Sequence, residues 1–172
     1  MYELKSFADG LALVENKDLL FLSYIRAADE QEAETKVVDF NKAVMIEQLA
    51  SHRFDVEVAG IELSDGLRVQ TDRESQAQLN SAYTTLKYSL IPDTDWKATN
   101  GWQVVNLEQM EPIARAMAAH VRGCFRGERA VSTAITSATT MAQIEAIDIQ
   151  AQFMAAYQIA VAEVMTPEQA PE

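Results

Sequence analysis

The sequence predicts an α+β protein: small antiparallel sheets and hairpins, several amphipathic helices, and a helical C-terminal third. Three observations carry that expectation. Short runs of alternating apolar and polar residues flank glycine-containing turn signals at Asp9-Gly10, Asp65-Gly66 and Asn100-Gly101, the pattern of strands joined by tight turns. Between these signals lie stretches with apolar residues at i, i+3 and i+4, the period of a helix with one buried face. Asn106 and Thr140 each stand three residues before a glutamine, the spacing at which a cap side chain and the third helical residue satisfy each other's backbone N–H groups.

Taken in order, residues 2–25 read as a small antiparallel meander. Tyr2, Leu4 and Ser6 point one way, Asp9-Gly10 and Asn16-Lys17-Asp18 form turns, and Leu19 to Ile25 is a strongly apolar strand. Residues 27–52 contain no Gly or Pro and carry Asp29, Glu30, Glu32 and Glu34 early, where carboxylates favour the positive end of a helix. Val37, Phe40, Val44, Leu49 and Ala50 supply its apolar positions. The pattern falls short of the clean heptads of a coiled coil. It reads as an amphipathic helix packed on its own domain or meeting copies of itself, ending at His52 and Arg53.

Gly60 to Tyr83 is the stretch around which the rest is arranged. Phe54, Val56 and Val58 alternate with Asp55 and Glu57, so 54–58 reads as a half-buried strand, followed by strands at 60–63 and 67–71 with Ser64-Asp65-Gly66 as the turn. Thr71 and Glu74 have capping-box spacing, and Ala77, Leu79, Ala82, Tyr83 and Leu86 continue helically until Ile91-Pro92 stops the helix. Trp96 and Trp102 flank a hairpin turning at Asn100-Gly101. Paired aromatics of this kind make a ligand platform or close one end of a core, and core closure is the expectation. A long helix follows Asn106, with Pro112 early enough to do little harm, an apolar face of Ile113, Met117, Ala118, Val121 and Phe125, and Gly123 and Gly127 weakening its later turns. A second helical stretch runs through Val131, Ala134 and Ile135. Thr140 caps another that continues to Val164, and Thr166-Pro167 ends it before a short frayed tail.

No Lys or Arg follows Arg129, so the last helix lacks the cations that usually settle a helix C-terminus. With Phe153, Met154, Tyr157, Ile159 and Val161 it is also apolar over a wide arc. It is expected to pack on a second element, in the same chain or in a neighbouring subunit.

Composition excludes several function classes. A chain of 172 residues, 48% of them apolar, is long enough for one domain, or one with an appendage, and for a substantial core. Its formal charge of −12 disfavours phosphate-backbone binding and docking on anionic lipid. No run of about 18 apolar residues offers a membrane span, and Met1-Tyr2-Glu3 does not open a secretory signal. The expectation is therefore no nucleic acid, no membrane, and synthesis in a cytoplasm. Cys124 is the single cysteine, so no intramolecular disulfide forms. Arg122 and Arg126 beside it would lower an exposed thiol's pKa, but a small buried apolar role on a helix is expected. His52 and His120 are far apart in sequence and neither belongs to a zinc-ligand pattern. No nucleophile elbow, phosphate loop or dinucleotide fingerprint occurs. No catalytic, cofactor-binding or metal-binding residue is expected, no cofactor is expected, and the chain is not expected to be an enzyme.

Residues 53–135 carry a family resemblance. The matching pieces are Arg53-Phe54 with Glu57, Gly60-Ile61, Asp65-Gly66, Thr71-Asp72-Arg73 with Ser75-Gln76, and Leu79. They continue with Trp96-Lys97, Asn100-Gly101-Trp102, Ala114 to Ala118, His120-Val121, Phe125 and Glu128. In this order and spacing they resemble an uncharacterised domain of tailed-phage and prophage proteins, often found at or beside the tail-fibre locus. The family's usual form has Asp where this chain has Asn100, and both residues suit the turn. The resemblance implies a structural component of a bacteriophage tail, baseplate or tail-fibre assembly, made in the host bacterial cytoplasm and located in the virion. The alternative it implies is a tail-fibre assembly chaperone that leaves. Partners would be other phage tail or fibre proteins and further copies of the chain, with a trimer suspected because fibres are commonly trimeric. The family brings no established catalytic residues. The expected organisation is 1–52 as N-terminal strands plus a helix for attachment or oligomerisation, 53–135 as the tail-associated α+β domain, and 136–172 as a C-terminal helical extension.

Overall fold

The computed structural model describes residues 1–16, 18–63, 66–98 and 101–166. The fold is α+β, as the alternating and helical periods require. Three strands, β1 (Tyr2–Ala8), β2 (Leu11–Asn16) and β3 (Phe21–Arg26), precede the long helix α1 (Glu30–Val58). Two-residue strands β4 (Ile61–Glu62) and β5 (Arg68–Val69) lead to α2 (Arg73–Lys87). The hairpin β6 (Thr94–Ala98) and β7 (Gly101–Val105) leads to α3 (Leu107–Ser137), the short α4 (Met141–Glu145) and α5 (Ile149–Met165). The chain forms two compact units, one of Met1–Ala50 with Ala130–Ile149 and the other of Ser51–Arg129 with Gln150–Glu172.

In the first unit the sheet order is β1-β2-β3, antiparallel throughout. Asp9 and Gly10 both take positive φ (50° and 75°), which a two-residue hairpin needs to match the strand twist. At the second turn the Asn16 side chain accepts from the backbone N–H groups of Asp18 and Leu19 at 3.1 and 3.3 Å; Lys17 lies outside the described residues. The expected inward row of Tyr2, Leu4 and Ser6 is broken. The register shifts between Leu4 and Ser6, and an extra residue reverses the side-chain alternation, so that Phe7, not Ser6, packs beside Leu4 and Ile25 on the small core of Ala12, Ala27 and Ala33. Asn41 of α1 is buried. Its amide donates to the Tyr2 carbonyl at 2.8 Å and its oxygen accepts from the Tyr2 N–H at 2.8 Å, which holds β1 on the helix.

The strand expected at 54–58 is helix. α1 runs on to Val58, and Gly60 at φ 85° marks the turn after it. The alternation of Phe54, Val56 and Val58 misled because Glu57, the residue a strand would turn to solvent, is buried, whereas Phe54 is exposed. Helical spacing brings Arg53 and Glu57 together as an i,i+4 ion pair, a contact that strand geometry excludes. The strands at 60–63 and 67–71 are present in shorter form, paired as Ile61↔Val69 and Glu62↔Arg68. Of the turn between them, Ser64 and Asp65 lie outside the described residues, and Gly66 takes φ 82°.

The α2 cap sits one residue later than expected. Asp72 accepts from the N–H groups of Glu74 and Ser75, both at 3.0 Å. The Ser75 hydroxyl, the foremost cause, holds the Asp72 carboxyl below its ordinary pKa. Thr71 is left free for another role described below. α2 stops at Lys87, before Pro92. Ser89 enters the left-handed region at φ 55°, Leu90 N–H reaches back to the Thr85 carbonyl at 3.0 Å, and Ser89 N–H bonds Leu86 at 3.0 Å, the Schellman arrangement with serine in place of glycine. Val69, Leu79, Leu86, Val105, Met110, Ile113 and Met117 form the core of this second unit.

α3 is continuous where two helical stretches were expected. Asn106 and Gln109 form their reciprocal cap at 3.1 Å in both directions, and the helix passes through Gly123 and Gly127 without a break. Thr140 and Gln143 close the capping box of α4. Residues 167–172, read as a frayed tail, lie outside the described residues, as do Thr99 and Asn100 of the hairpin turn.

Candidate functional site

The polar side chains singled out in the sequence converge in the second unit, around the last turn of α1. The backbone carbonyl of Glu57 is the meeting point. The Thr71 hydroxyl donates to it at 2.5 Å and itself accepts from Gly60 N–H at 2.9 Å. His120 Nε2 lies 3.0 Å from the same oxygen. A carbonyl only accepts, so Nε2 carries the proton, and in the neutral ring Nδ1 accepts from the Tyr157 hydroxyl at 2.8 Å. His120 sits on α3, Tyr157 on α5, Thr71 before α2. Three segments are thus tied to one carbonyl freed by the end of α1, where such groups have no helical partner.

The Glu57 carboxylate lies beside this node and is buried. It takes the Arg53 guanidinium and, at 3.3 Å, the Gln76 amide. Arg53 also approaches Glu128 at 3.4 Å and lies 5.2 Å from the centre of the Phe125 ring. An ion pair this buried is held by its partners rather than by water, and removing one side is costly.

Cys124 follows His120 by one helical turn, with Sγ 3.9 Å from Nε2. That spacing invites comparison with a cysteine–histidine dyad, but the chemistry opposes it. Nε2 is already committed to the Glu57 carbonyl, the thiol is fully buried, and burial, with the nearby Glu57 charge, pushes it up to about 11. A nucleophilic thiol needs the opposite shift and an approach for substrate. Its neighbour Arg122 turns away, donating to the Ala160 carbonyl at 2.7 Å and to Glu163 at 2.6 Å. This arginine supplies from α3 the cation that α5 lacks in its own sequence.

The expected packing of α5 on a second element is on α3, and the part the α3 glycines play in it is the feature that sequence reasoning missed. Gly123 and Gly127 are one turn apart and both face α5. A Cβ at Gly123 would come within 2.7 Å of the Tyr157 ring, and one at Gly127 within 2.8 Å of the Phe153 ring. The glycines read as helix-weakening are the floor of a groove that receives Phe153, Tyr157 and Val161, spaced i, i+4, i+8. Their own i,i+4 spacing opposite that apolar ridge was the available signal. Phe153, Tyr157 and Val161 of the apolar arc of α5 pack in the same chain, whereas Ile159 is exposed. His52 meets Phe153 edge-on at 4.9 Å, and its Nε2 is buried with no hydrogen-bond partner among the described residues.

The tryptophans do not form a platform. Trp96 pairs across the hairpin with Gln103 and Trp102 with Lys97, so the two rings leave opposite faces of the ribbon. Trp96 packs on the core, whereas Trp102 is 70% exposed with Lys97 above its ring. A groove of about 580 Å³ beside the node is bounded by Ile61, Leu67, Ile113, Gln109, His120 and Tyr157. Its two titratable groups on the helices, His120 and Tyr157, are bonded to each other. Among the described residues no group of three or more His, Cys, Asp or Glu could hold a metal ion, and no helix is long and apolar enough to cross a membrane.

The arrangement defines an α+β protein in which Glu57, Thr71, His120 and Tyr157 hold its own helices and loops in register. The chain belongs to the family described as a domain of unknown function, DUF4376, whose model matches residues 41–151. Comparison with curated proteins and with solved structures gave no match.

Proposed function

We propose that this protein is a structural component of a bacteriophage tail, baseplate or tail-fibre assembly that works by protein–protein contact and carries out no reaction. The residues resembling the tail-associated family bring the assembly into view. The observation that carries the reading is the division of labour in the side chains. His120, Tyr157, Glu57 and Cys124 are engaged internally, while neighbouring large apolar side chains stand exposed, Leu19 at 66%, Leu20 at 94%, Leu22 at 62% and Tyr24 at 66%. Surface of that kind serves association rather than turnover. Its partners are other tail or fibre proteins and further copies of itself, its place is the virion, and the copy number implied by fibre symmetry is three. Quantitative mass spectrometry of purified particles tests it. Stoichiometric presence supports a virion component. Absence from particles whose fibres still depend on the protein supports the assembly chaperone instead.

A further inference from the structure

The two edges of the N-terminal sheet are not alike. β1 is defended: it carries Glu3 and Lys5, Lys5 is ion-paired to Glu3 and Glu15 at 2.5 and 3.0 Å, and the register shift between Leu4 and Ser6 bends it. Charges and bulges are the usual means of keeping a sheet edge from pairing. β3 has neither. It pairs with β2 without interruption from Phe21 to Arg26, and residues 19–25, Leu-Leu-Phe-Leu-Ser-Tyr-Ile, carry no charge. Among the described residues no strand lies on its outer side. Leu19, Leu20, Leu22 and Tyr24 are exposed by 66%, 94%, 62% and 66%.

We infer that the outer edge of β3 is an interface with a second copy of this chain, the two strands pairing antiparallel about a two-fold axis. Charge selects the occupant. Two copies of a chain of net charge −12 repel, and they meet at least cost where neither presents a charge; an isologous contact places like against like, and from Leu19 to Ile25 this edge carries no charge, Arg26 standing only at its end. Size agrees. Leu19, Leu20, Phe21, Leu22 and Tyr24 with the neighbouring Leu11 are exposed by 42% to 94%, which sets a ceiling of roughly 700 Å² against the ~800 Å² each partner contributes to a standard interface. Strand addition supplies direction, since the unpaired backbone groups of one edge complement those of the other. A two-fold contact joins chains in pairs, so an assembly that combines it with a fibre's threefold axis contains six chains.

Multi-angle light scattering over a concentration series tests the inference on the full chain. The wild type should show an even number of chains. Leu22→Lys combined with Tyr24→Lys should halve that mass, with the far-UV circular dichroism unchanged because both side chains are already in solvent. Leu90→Lys, equally exposed but in the other unit, should leave the mass as it is. A wild-type particle of one or three chains, or an unchanged mass in the double variant, overturns the inference. Neither result bears on whether the protein is found in virions, which mass spectrometry reads separately.

Discussion

Replacing Gly127 with alanine tests whether the α3 glycines are there for contact with α5. In an exposed helix interior the change stabilises by about 1 kcal/mol, because alanine loses less backbone freedom on folding. Here the new Cβ would lie 2.8, 2.9 and 3.0 Å from three atoms of the Phe153 ring. Carbon atoms settle at about 3.5 Å or more, so the ring must retreat by several tenths of an ångström. It has little room: Phe153 is fully buried, with His52 edge-on at 4.9 Å and Tyr157 stacked at 6.4 Å. Overpacking of this degree costs about 1–3 kcal/mol. After the helix-propensity gain, a net loss of about 1 kcal/mol is expected, roughly a fivefold fall in the folded-to-unfolded ratio. In a Phe153→Ala background the clash is gone and only the propensity gain remains, so the same change should stabilise by up to about 1 kcal/mol. The coupling between the two sites is then about 2 kcal/mol. Urea unfolding of the four proteins, followed by far-UV circular dichroism, measures it. A Gly127→Ala protein more stable than wild type, or an equal effect in both backgrounds, would refute the close-approach argument.

Two further perturbations address the buried polar node. Glu57→Ala removes the partner that buries the Arg53 charge and should cost about 3 kcal/mol in urea unfolding, whereas joint replacement of Arg53 and Glu57 by methionine should restore much of it. Cys124 should react with a thiol reagent only as fast as the protein opens, with a native labelling rate far below that of the urea-unfolded chain. Its thiol is raised from 9.0 to about 11 in the folded state, so the native protein keeps the proton longer than the unfolded chain does. This contribution is fully present below pH 9 and is lost as pH climbs towards 11. Tyr157, also raised, chiefly by burial, acts in the same direction, and urea midpoints measured from pH 8 upward should fall while those of a Cys124→Ala variant fall less.

What the sequence disclosed follows from how local each feature is. The Asp9-Gly10 turn, the Asn106 and Thr140 caps and the inward helical positions Ile113, Met117 and Val121 depend on residues within a few positions of one another, and all are present in the structure, whereas Ala118 and Phe125, read on the same face, are exposed. Residues 54–58 were misread because two periods compete in a short window, and the deciding contacts, Glu57 with His120 and Gln76, come from 63 and 19 residues away. Thr71 has the chemistry of a cap, and Asp72 beside it has the same; only the distant Glu57 carbonyl decides which of them takes the role. Cys124 was read as a small apolar residue on a helix, and it is buried there, although its neighbours Phe125 and Arg126 are exposed. The node itself was not legible: nothing local in His120 or Tyr157 says that they bond each other across 37 positions.

Each compact unit is built from two separated lengths of polypeptide, 1–50 with 130–149 and 51–129 with 150–172. Neither unit is therefore complete with its first length alone: the first waits for residues 130–149 and the second for residues 150–172. Until Phe153 and Tyr157 have left the exit tunnel, the glycine floor of α3 is bare and His120 Nδ1 has no hydroxyl to accept from. The nascent chain thus carries this seam open from the synthesis of α3 until α5 emerges and closes it.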